Sequence, residues 1–375
     1  MCDERPPAFP ELAEMHVKST DSNLWMPERV DLKTEGGRVR ITQIQSHPKG
    51  VEVVDAREEQ WMELALIRHP MLRGQDEALR ERIEEWKRDR SRTFELFYFP
   101  WRNTLCYILP RAEFIELRTN RNRNRIRHEE QRIFSQKKVG VVGLSVGASF
   151  AMTLAMERSC GVLRIADFDN LALSNMNRIR STIMDVGLPK WLILARQIME
   201  LDPYFELEIF PGGVTEGNAT EFFEGLDLVM DACDSPAVKA EIRIQAKSHR
   251  IPVLMDTSDR GMLDIERYDD PDIAAQTGAL HGRLSASDLL RLRRTKHWTP
   301  VDLNLFVDLS TASSRGRESL SLVGSELAGW PQLYADVAAG GAMAVVAARR
   351  IFLGDPTPDS RLYLSLDEQL PQRIS

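Results

Sequence analysis

Apolar and polar positions along this chain fall into a regular alternation from about residue 137 onward. Two short apolar runs, 139–142 and 162–166, flank a segment from 148 to 156 whose small and apolar residues suit a helix packed on a sheet. Runs of that length, bounded by Gly143 and Asp167, read as buried parallel strands joined by a helix. The alternation continues with helices over 189–201 and 238–249, a strand over 251–255, a turn at Arg260-Gly261 and a strand through Tyr268. Residues 274–294 show helical spacing that suits a crossover lid, residues 330–354 read as a packed helix, and 361–366 as a last strand. In that last helix, Gly340-Gly341 permits close approach of another backbone. The first third differs in character. The paired glycines in RVDLKTEGGRVRITQI predict a hairpin, residues 75–91 a charged helix, and TFELFYFPWRNTLCYILP two strands joined near residues 100–103. The cluster Phe94, Phe97, Tyr98, Phe99 and Trp101 is expected to be core.

The loop between the first two strands has a chemistry of its own. Gly143, Ser145 and Ala148 occupy the three positions of a G-x-G-x-x-G pattern, with Gly147 between the last two, and Asp167 follows 24 residues after Gly143. A helix N-terminus after such a loop offers backbone N–H groups to phosphate, and an acid at the end of the second strand accepts from ribose hydroxyls. The expected fold class is therefore α/β: a Rossmann-like, mostly parallel sheet with helices on both faces. Residues 1–117 are expected to form a smaller N-terminal α+β domain, and residues 118–375 the nucleotide-binding domain with its crossover and C-terminal segment.

The polar residues after Asp167 narrow the nucleotide. Asp167-Phe168-Asp169, then Ser174-Asn175-Met176-Asn177-Arg178, Gly187-Leu188-Pro189-Lys190, and Asp231-Ala232-Cys233-Asp234-Ser235 follow in order. Together they resemble the ThiF/MoeB/HesA family of ubiquitin-activating-enzyme-like adenylyltransferases, over roughly residues 118–260. The resemblance implies an enzyme that uses ATP and Mg²⁺ to adenylate a C-terminal carboxylate of a ubiquitin-like or sulfur-carrier protein, or of a peptide, releasing pyrophosphate. It implies that Arg178 and Lys190 neutralise the triphosphate and that Asp234 holds the metal. Asp167 would take the ribose, Asp169 would support the loop or the metal, and Asn175 and Asn177 would orient phosphates. Such chemistry brings two anions together, so cations and a hard metal ion belong in the site. The arginine-rich lead-in LRTNRNRNRIRHEEQRIF fits the same resemblance. Arg121, with Arg123 as second choice, would enter the site of the other subunit of a homodimer, where a guanidinium neutralises phosphate charge.

Taken singly, these residues have plainer readings. Asp167 suits a strand-end turn, Lys190 a solvated first helical turn, Asp234 a helix cap before Ser235-Pro236, and Arg178 a surface ion pair. Their succession after strand ends of one unit favours the nucleotide site. Two other functions stay open: an NAD(P)- or FAD-dependent oxidoreductase, which leaves Arg178, Lys190 and Asp234 without a task, and a non-catalytic partner subunit, which bulk at Ser145 and Val146 would suit.

Composition excludes several classes. The 375 residues are 43% hydrophobic and 28% charged with net charge −7, enough for a large core and acidic enough to count against nucleic acid as partner. No 18-residue apolar run and no signal-peptide pattern occur in the sequence, so a cytoplasmic protein without membrane association is expected. Cysteines stand at 2, 106, 160 and 233 with no C-x-x-C, which predicts neither a disulfide framework nor the zinc knot some family members carry. Cys233 is read as packing, not as a thioester carrier. The family resemblance implies that Asp256, Asp259 and Arg260 are candidates for substrate-tail recognition, and their plainer reading is turn charges. His281 and His297 have no partner at catalytic spacing and read as ordinary histidines.

Overall fold

The structure, a computed structural model, describes residues 25–89, 93–257, 259–275, 278–297, 299–366 and 370. The proline-rich opening segment with Cys2, and the expected helix end at Ser91, lie outside the described residues. A small sheet is built from β1 (Glu28–Val30), β2 (Glu52–Val54), β3 (Glu95–Phe99) and β4 (Thr104–Ile108), in the order β1-β3-β4-β2. A larger sheet is built from β5 (Lys138–Val142), β6 (Val162–Ala166), β7 (Glu206–Phe210), β8 (Leu228–Asp231), β9 (Val253–Asp256), β10 (Leu263–Glu266) and β11 (Ser360–Leu362). Its order is β11-β10-β9-β8-β5-β6-β7, parallel from β9 to β7 and antiparallel at β10 and β11. This is the expected α/β architecture with its smaller companion sheet.

The strand sequences explain the layering. In β5, Val139 and Val141 face one side with Leu163, Ile165, Leu228 and Met230, while Val142 faces the other with Val229, Val253 and Met255. Strands apolar on both faces need cover on both. The first face is covered by helices Gly147–Glu157, Lys190–Leu201 and Tyr334–Leu353, the second by Pro236–His249 and Ala286–Arg293 with Phe306. Tyr334–Leu353 comes close because of its paired glycines. A Cβ on Gly341 would lie 2.6 Å from Ser149 Oγ, and one on Gly340 would overlap the Asp256 carboxylate.

The small sheet is fastened to the large one. Trp101 Nε1 donates to Glu200 at 2.5 Å and Arg102 Nε to the same carboxylate at 2.8 Å, while the Tyr204 hydroxyl donates to Leu109 O at 2.8 Å. Phe97, Tyr98 and Phe99 are buried, as the core reading requires.

Four expectations need correction. The expected hairpin over 29–44 is instead the helix Glu35–Gln45: Thr34 Oγ1 accepts from the Gly37 amide, Glu35 supplies an acid to the first turn, and both glycines sit where N–H groups lack helical partners. The helical spacing of 274–294 resolves into short helix Pro271–Ala274 and helix Ala286–Arg293, because Leu280, His281 and Gly282 all adopt positive φ and break the chain between them. The terminal strand covers only Ser360–Leu362. His281 is not isolated: Nε2 lies 2.9 Å from Asp264 Oδ1 and Nδ1 contacts Asp359, and Arg361 Nε donates to Asp264 at 2.9 Å. A single sequence cannot show that carboxylates 17 and 78 residues away converge on one ring.

That clamp has a pH signature. Hydrogen bonds to Asp264 and Asp359 raise His281 from 6.5 to about 9. A folded-state pKa above the unfolded one gives stability that is complete below about pH 6.5 and lost as pH rises through about 9. We expect unfolding midpoints to fall across that window by an amount on the order of 1–3 kcal/mol, and the fall to shrink in His281→Gln. Chemical denaturation at a series of pH values checks this; parallel profiles for the two proteins would refute it.

Candidate functional site

β5 pairs with β6 on one side and β8 on the other, so the loops leaving their carboxyl ends diverge and open a crevice at the switch point of the strand order. Gly143 makes the first turn with φ +88°, its amide donating to Ala166 O at 2.9 Å. A Cβ here would stand 2.5 Å from Ala232 O, so the residue must be glycine on grounds of both φ and space. Gly147 opens the helix, and a Cβ there would meet Val141 at 2.7 Å. Ala148 follows as a small, partly buried residue on the crevice wall.

Asp167 is the clasp of this loop. Oδ2 accepts from the Leu144 amide at 2.6 Å and Oδ1 from the Asp169 amide at 2.7 Å, with the residue only 7% exposed. Burial pushes its pKa up against the opposing pull of those two amides and Lys190. Each carboxylate oxygen retains a second lone pair, the requirement for a ribose acceptor.

Lys190 is buried, contrary to the solvated reading, and bridges the loops: Nζ lies 2.7 Å from Asp169 Oδ2 and 3.2 Å from Ser145 Oγ. Ser145 thus occupies a glycine position with its hydroxyl oxygen accepting from Lys190 Nζ. Val146 turns inward, 5% exposed, against Ala232 and Val337, so its bulk does not stand in the crevice.

Arg178 Nη1 donates to Asn177 Oδ1 at 3.0 Å and Ser174 O at 3.3 Å, while its Nε is buried without a hydrogen-bond partner. Asn175 Oδ1 accepts from the Ala172 amide at 3.0 Å, and Asn177 Nδ2 donates to Gln332 O at 2.7 Å. Both amides therefore shape the loop. Arg178 and Lys190 border one cleft of about 60 Å³ between helices Gly147–Glu157 and Lys190–Leu201.

Across the crevice Asp234 is exposed, and the cap of helix Pro236–His249 is Ser235, whose Oγ accepts from Val238 N at 3.4 Å. The helix-cap reading of Asp234 therefore falls away. Cys233 Sγ lies 3.2 Å from Asp231 Oδ1, and burial with that carboxylate pushes its thiol well up, suiting packing. Asp259 accepts from Ser313 N at 2.9 Å and Arg260 Nη1 donates to Thr311 O at 3.1 Å, so both fasten the segment before helix Ser314–Leu320.

Arg121 is exposed in a single turn whose neighbours hold the far end of the phosphate helix. Arg118 Nη1 donates to Met156 O at 2.7 Å, Asn122 Nδ2 to Glu157 O at 2.9 Å, and Gln131 Nε2 to Arg158 O at 2.6 Å. The helix of 11 residues is about 16 Å long, so these neighbours of Arg121 are tied to the end opposite the Gly143–Gly147 loop.

Sequence reasoning missed a buried charge set under β8. Asp231 accepts from Lys239 Nζ at 3.0 Å and Arg243 Nη1 at 2.5 Å, and Arg243 Nη2 reaches Glu266 at 2.8 Å, all four being under 5% exposed. The available signal was the four-residue spacing of Lys239 and Arg243 behind a strand-end acid, but charges on a helix ordinarily mark its wet face. Among the described residues no group of three His, Cys, Asp or Glu could hold a metal, and no helix is long and apolar enough to cross a membrane.

Residues 119–261 match the ThiF family. A protein of Mycobacterium tuberculosis, itself uncharacterised, is 40% identical over 332 residues, covering 88% of this chain and 44% of its own length. A sulfur carrier protein adenylyltransferase of Thermus thermophilus is 32% identical over 102 residues, 26% of this chain and 38% of that protein. Among solved structures, the E. coli tRNA N6-threonylcarbamoyladenosine dehydratase in complex with ATP aligns at 20% identity with a TM-score of 0.47, over 65% of this chain and 96% of that one. The chain spans about half the length of the curated relatives it matches.

The loop geometry gives a stability test. Gly143→Ala combines positive φ with a backbone clash and is expected to cost roughly 1–3 kcal/mol, read as a lowered denaturation midpoint. Gly187→Ala, with positive φ and open space around it, is expected to cost less.

Proposed function

The chain carries a ThiF-family domain over residues 119–261, and on that premise we propose that it is an ATP- and Mg²⁺-dependent adenylyltransferase that activates a C-terminal carboxylate as an acyl-adenylate. The acyl substrate is a ubiquitin-like or sulfur-carrier protein, or a peptide. The observation that supports this reading is that Lys190 and Arg178 line one cleft, with Asp167 linked to Lys190 through Asp169 and with Arg178 Nε buried and unpartnered. A buried guanidinium N–H without an acceptor is costly, and a phosphate oxygen satisfies it.

The chemistry follows from the charges. A carboxylate oxygen attacks the α-phosphorus, the new C–O–P bond forms, the bond from that phosphorus to the β-phosphate oxygen breaks, and pyrophosphate leaves with the electron pair. Asp167 accepts from ribose, the Gly143–Gly147 amides and Ser145 face the phosphates, and Lys190 and Arg178 offset the negative charge that accumulates. Asp234, exposed and without a hydrogen bond or ion pair to another described residue, fits one carboxylate donor of a Mg²⁺ site that phosphate oxygens complete. Mg²⁺ when bound supplies further neutralisation of the triphosphate. No nucleophilic side chain is required, in keeping with the thiol of Cys233 being held protonated.

The position of Arg121 favours a homodimer. Its neighbours Arg118 and Asn122 are tied to the far end of helix Gly147–Glu157, and from that side exposed Arg121 serves a nucleotide in a second subunit. Residues 118–375 are assigned the adenylation unit and residues 1–117 a separate unit ahead of it. The inward-facing Val146 speaks against the non-catalytic alternative, and the Lys190 and Arg178 pair against an oxidoreductase.

Two tests bear on this. Isothermal titration is expected to show Mg²⁺-dependent ATP binding that Asp234→Ala weakens at least about tenfold, with no comparable NAD or FAD binding. NAD binding without ATP binding would overturn the proposal. Separately, Arg121→Ala and Lys190→Ala are each expected to abolish ATP–pyrophosphate exchange, and mixing the two to restore roughly a quarter of it through dimers holding one intact site. No recovery on mixing would remove the role of Arg121 in trans.

A further inference from the structure

The cleft between helices Gly147–Glu157 and Lys190–Leu201 holds more positive charge than the motif residues account for. Arg178, Arg180 and Lys190 all border it, and no Asp or Glu is among its lining residues. Lys190 is neutralised by Asp169 at its edge. Arg178 bonds only to the neutral oxygens of Ser174 and Asn177. Arg180 is exposed at the cleft wall and makes no ion pair among the described residues.

The backbone holds Arg180 there. Ile179, 7% exposed, is buried against Leu171 and Ile193, so the arginines on either side of it both flank the cleft. Gln197 Nε2 donates to Arg180 O at 2.8 Å and ties that residue to the helix forming one wall. Opposite stand Ser149 and Thr153, on the helix whose N-terminus faces the crevice. Two uncompensated guanidiniums in one concave site lower the energy of an anion carrying two or more charges, and their forked N–H groups match phosphate oxygens.

We propose that this cleft is the subsite for the terminal phosphates of the nucleotide and for the pyrophosphate that leaves, and that Arg180 is its specific contact. This deepens the adenylation reading and rests on it. Arg180 then distinguishes a triphosphate from a monophosphate: it touches the departing group and not the adenylate that stays behind. Loss of its charge weakens ATP and pyrophosphate and spares AMP.

The experiment is titration of the full chain, wild type, Arg180→Gln and Arg180→Lys, with ATP, AMP and inorganic pyrophosphate in the presence of Mg²⁺, repeated at two salt concentrations. In Arg180→Gln, ATP and pyrophosphate are expected to weaken about tenfold or more with AMP unchanged within twofold, and Arg180→Lys to recover part of the loss. Salt is expected to weaken wild-type ATP binding more steeply than Arg180→Gln. Equal weakening of ATP and AMP, or no weakening of either, would overturn the assignment. Wild-type binding of pyrophosphate that depends on Arg180 without any ATP binding would refute adenylation while leaving the cleft assigned to a polyphosphate. Wild-type binding of neither would refute both.

Discussion

The Asp167 carboxylate sets the geometry on which the nucleotide crevice depends. Two strand ends diverge at this point of the sheet, and nothing in parallel pairing fixes the loops beyond them. By accepting from the Leu144 and Asp169 amides, Asp167 joins the loop after β5 to the loop after β6. Asp169 in turn is placed to meet Lys190, and Lys190 to meet Ser145. The chain of contacts closes on itself: phosphate loop, acid, second acid, lysine and loop hydroxyl. A carboxylate this buried tolerates ionisation only because backbone N–H groups compensate the lost water, and those same groups are the ones that must be held still.

A second buried set supports the opposite wall. Asp231 ends β8 immediately before Ala232, whose carbonyl touches the space that Gly143 leaves open. Lys239, Arg243 and Glu266 bind it to helix Pro236–His249 and to β10. Removing one member of such a set strands a charge in a dry interior, at a cost of about 3–5 kcal/mol. The wall carrying Asp234 is therefore fixed from behind by electrostatics, as the wall carrying the phosphate loop is fixed from the front.

Much of this was legible in the sequence, for identifiable reasons. Strands β5, β6 and β9 are short, mainly apolar runs bounded by Gly, Asp or Pro, so their pattern admits one reading, whereas β7 and β8 were not predicted. Asp167, Lys190 and Asp234 stand just beyond a strand end or at a helix start, while Arg178 lies 12 residues past β6, and the resemblance to the ThiF/MoeB/HesA family is what named them as one set. The misreadings have a shared cause. Gly36-Gly37 signals a turn by composition, yet a Thr34 cap and a helical register override it. The His281 clamp and the Asp231 set join residues far apart in sequence through β10, and pairing across a sheet leaves no local periodicity. Arg180 escaped notice because an arginine after a motif is indistinguishable from a surface charge until a cleft wall is found beside it.

The Trp101 and Arg102 contacts with Glu200 have a mechanical meaning. Helix Lys190–Leu201 holds Lys190 at one end and Glu200 near the other, about 15 Å away along an unbroken, apolar-packed rod. The tip of the β3–β4 hairpin grips the rod at Glu200, and the Lys190 ammonium that meets Asp169 and Ser145 sits at the opposite end. The small sheet and Lys190 thus meet the two ends of one continuous helix. The small sheet and the loops that Lys190 bridges are in this sense handle and blade of one tool.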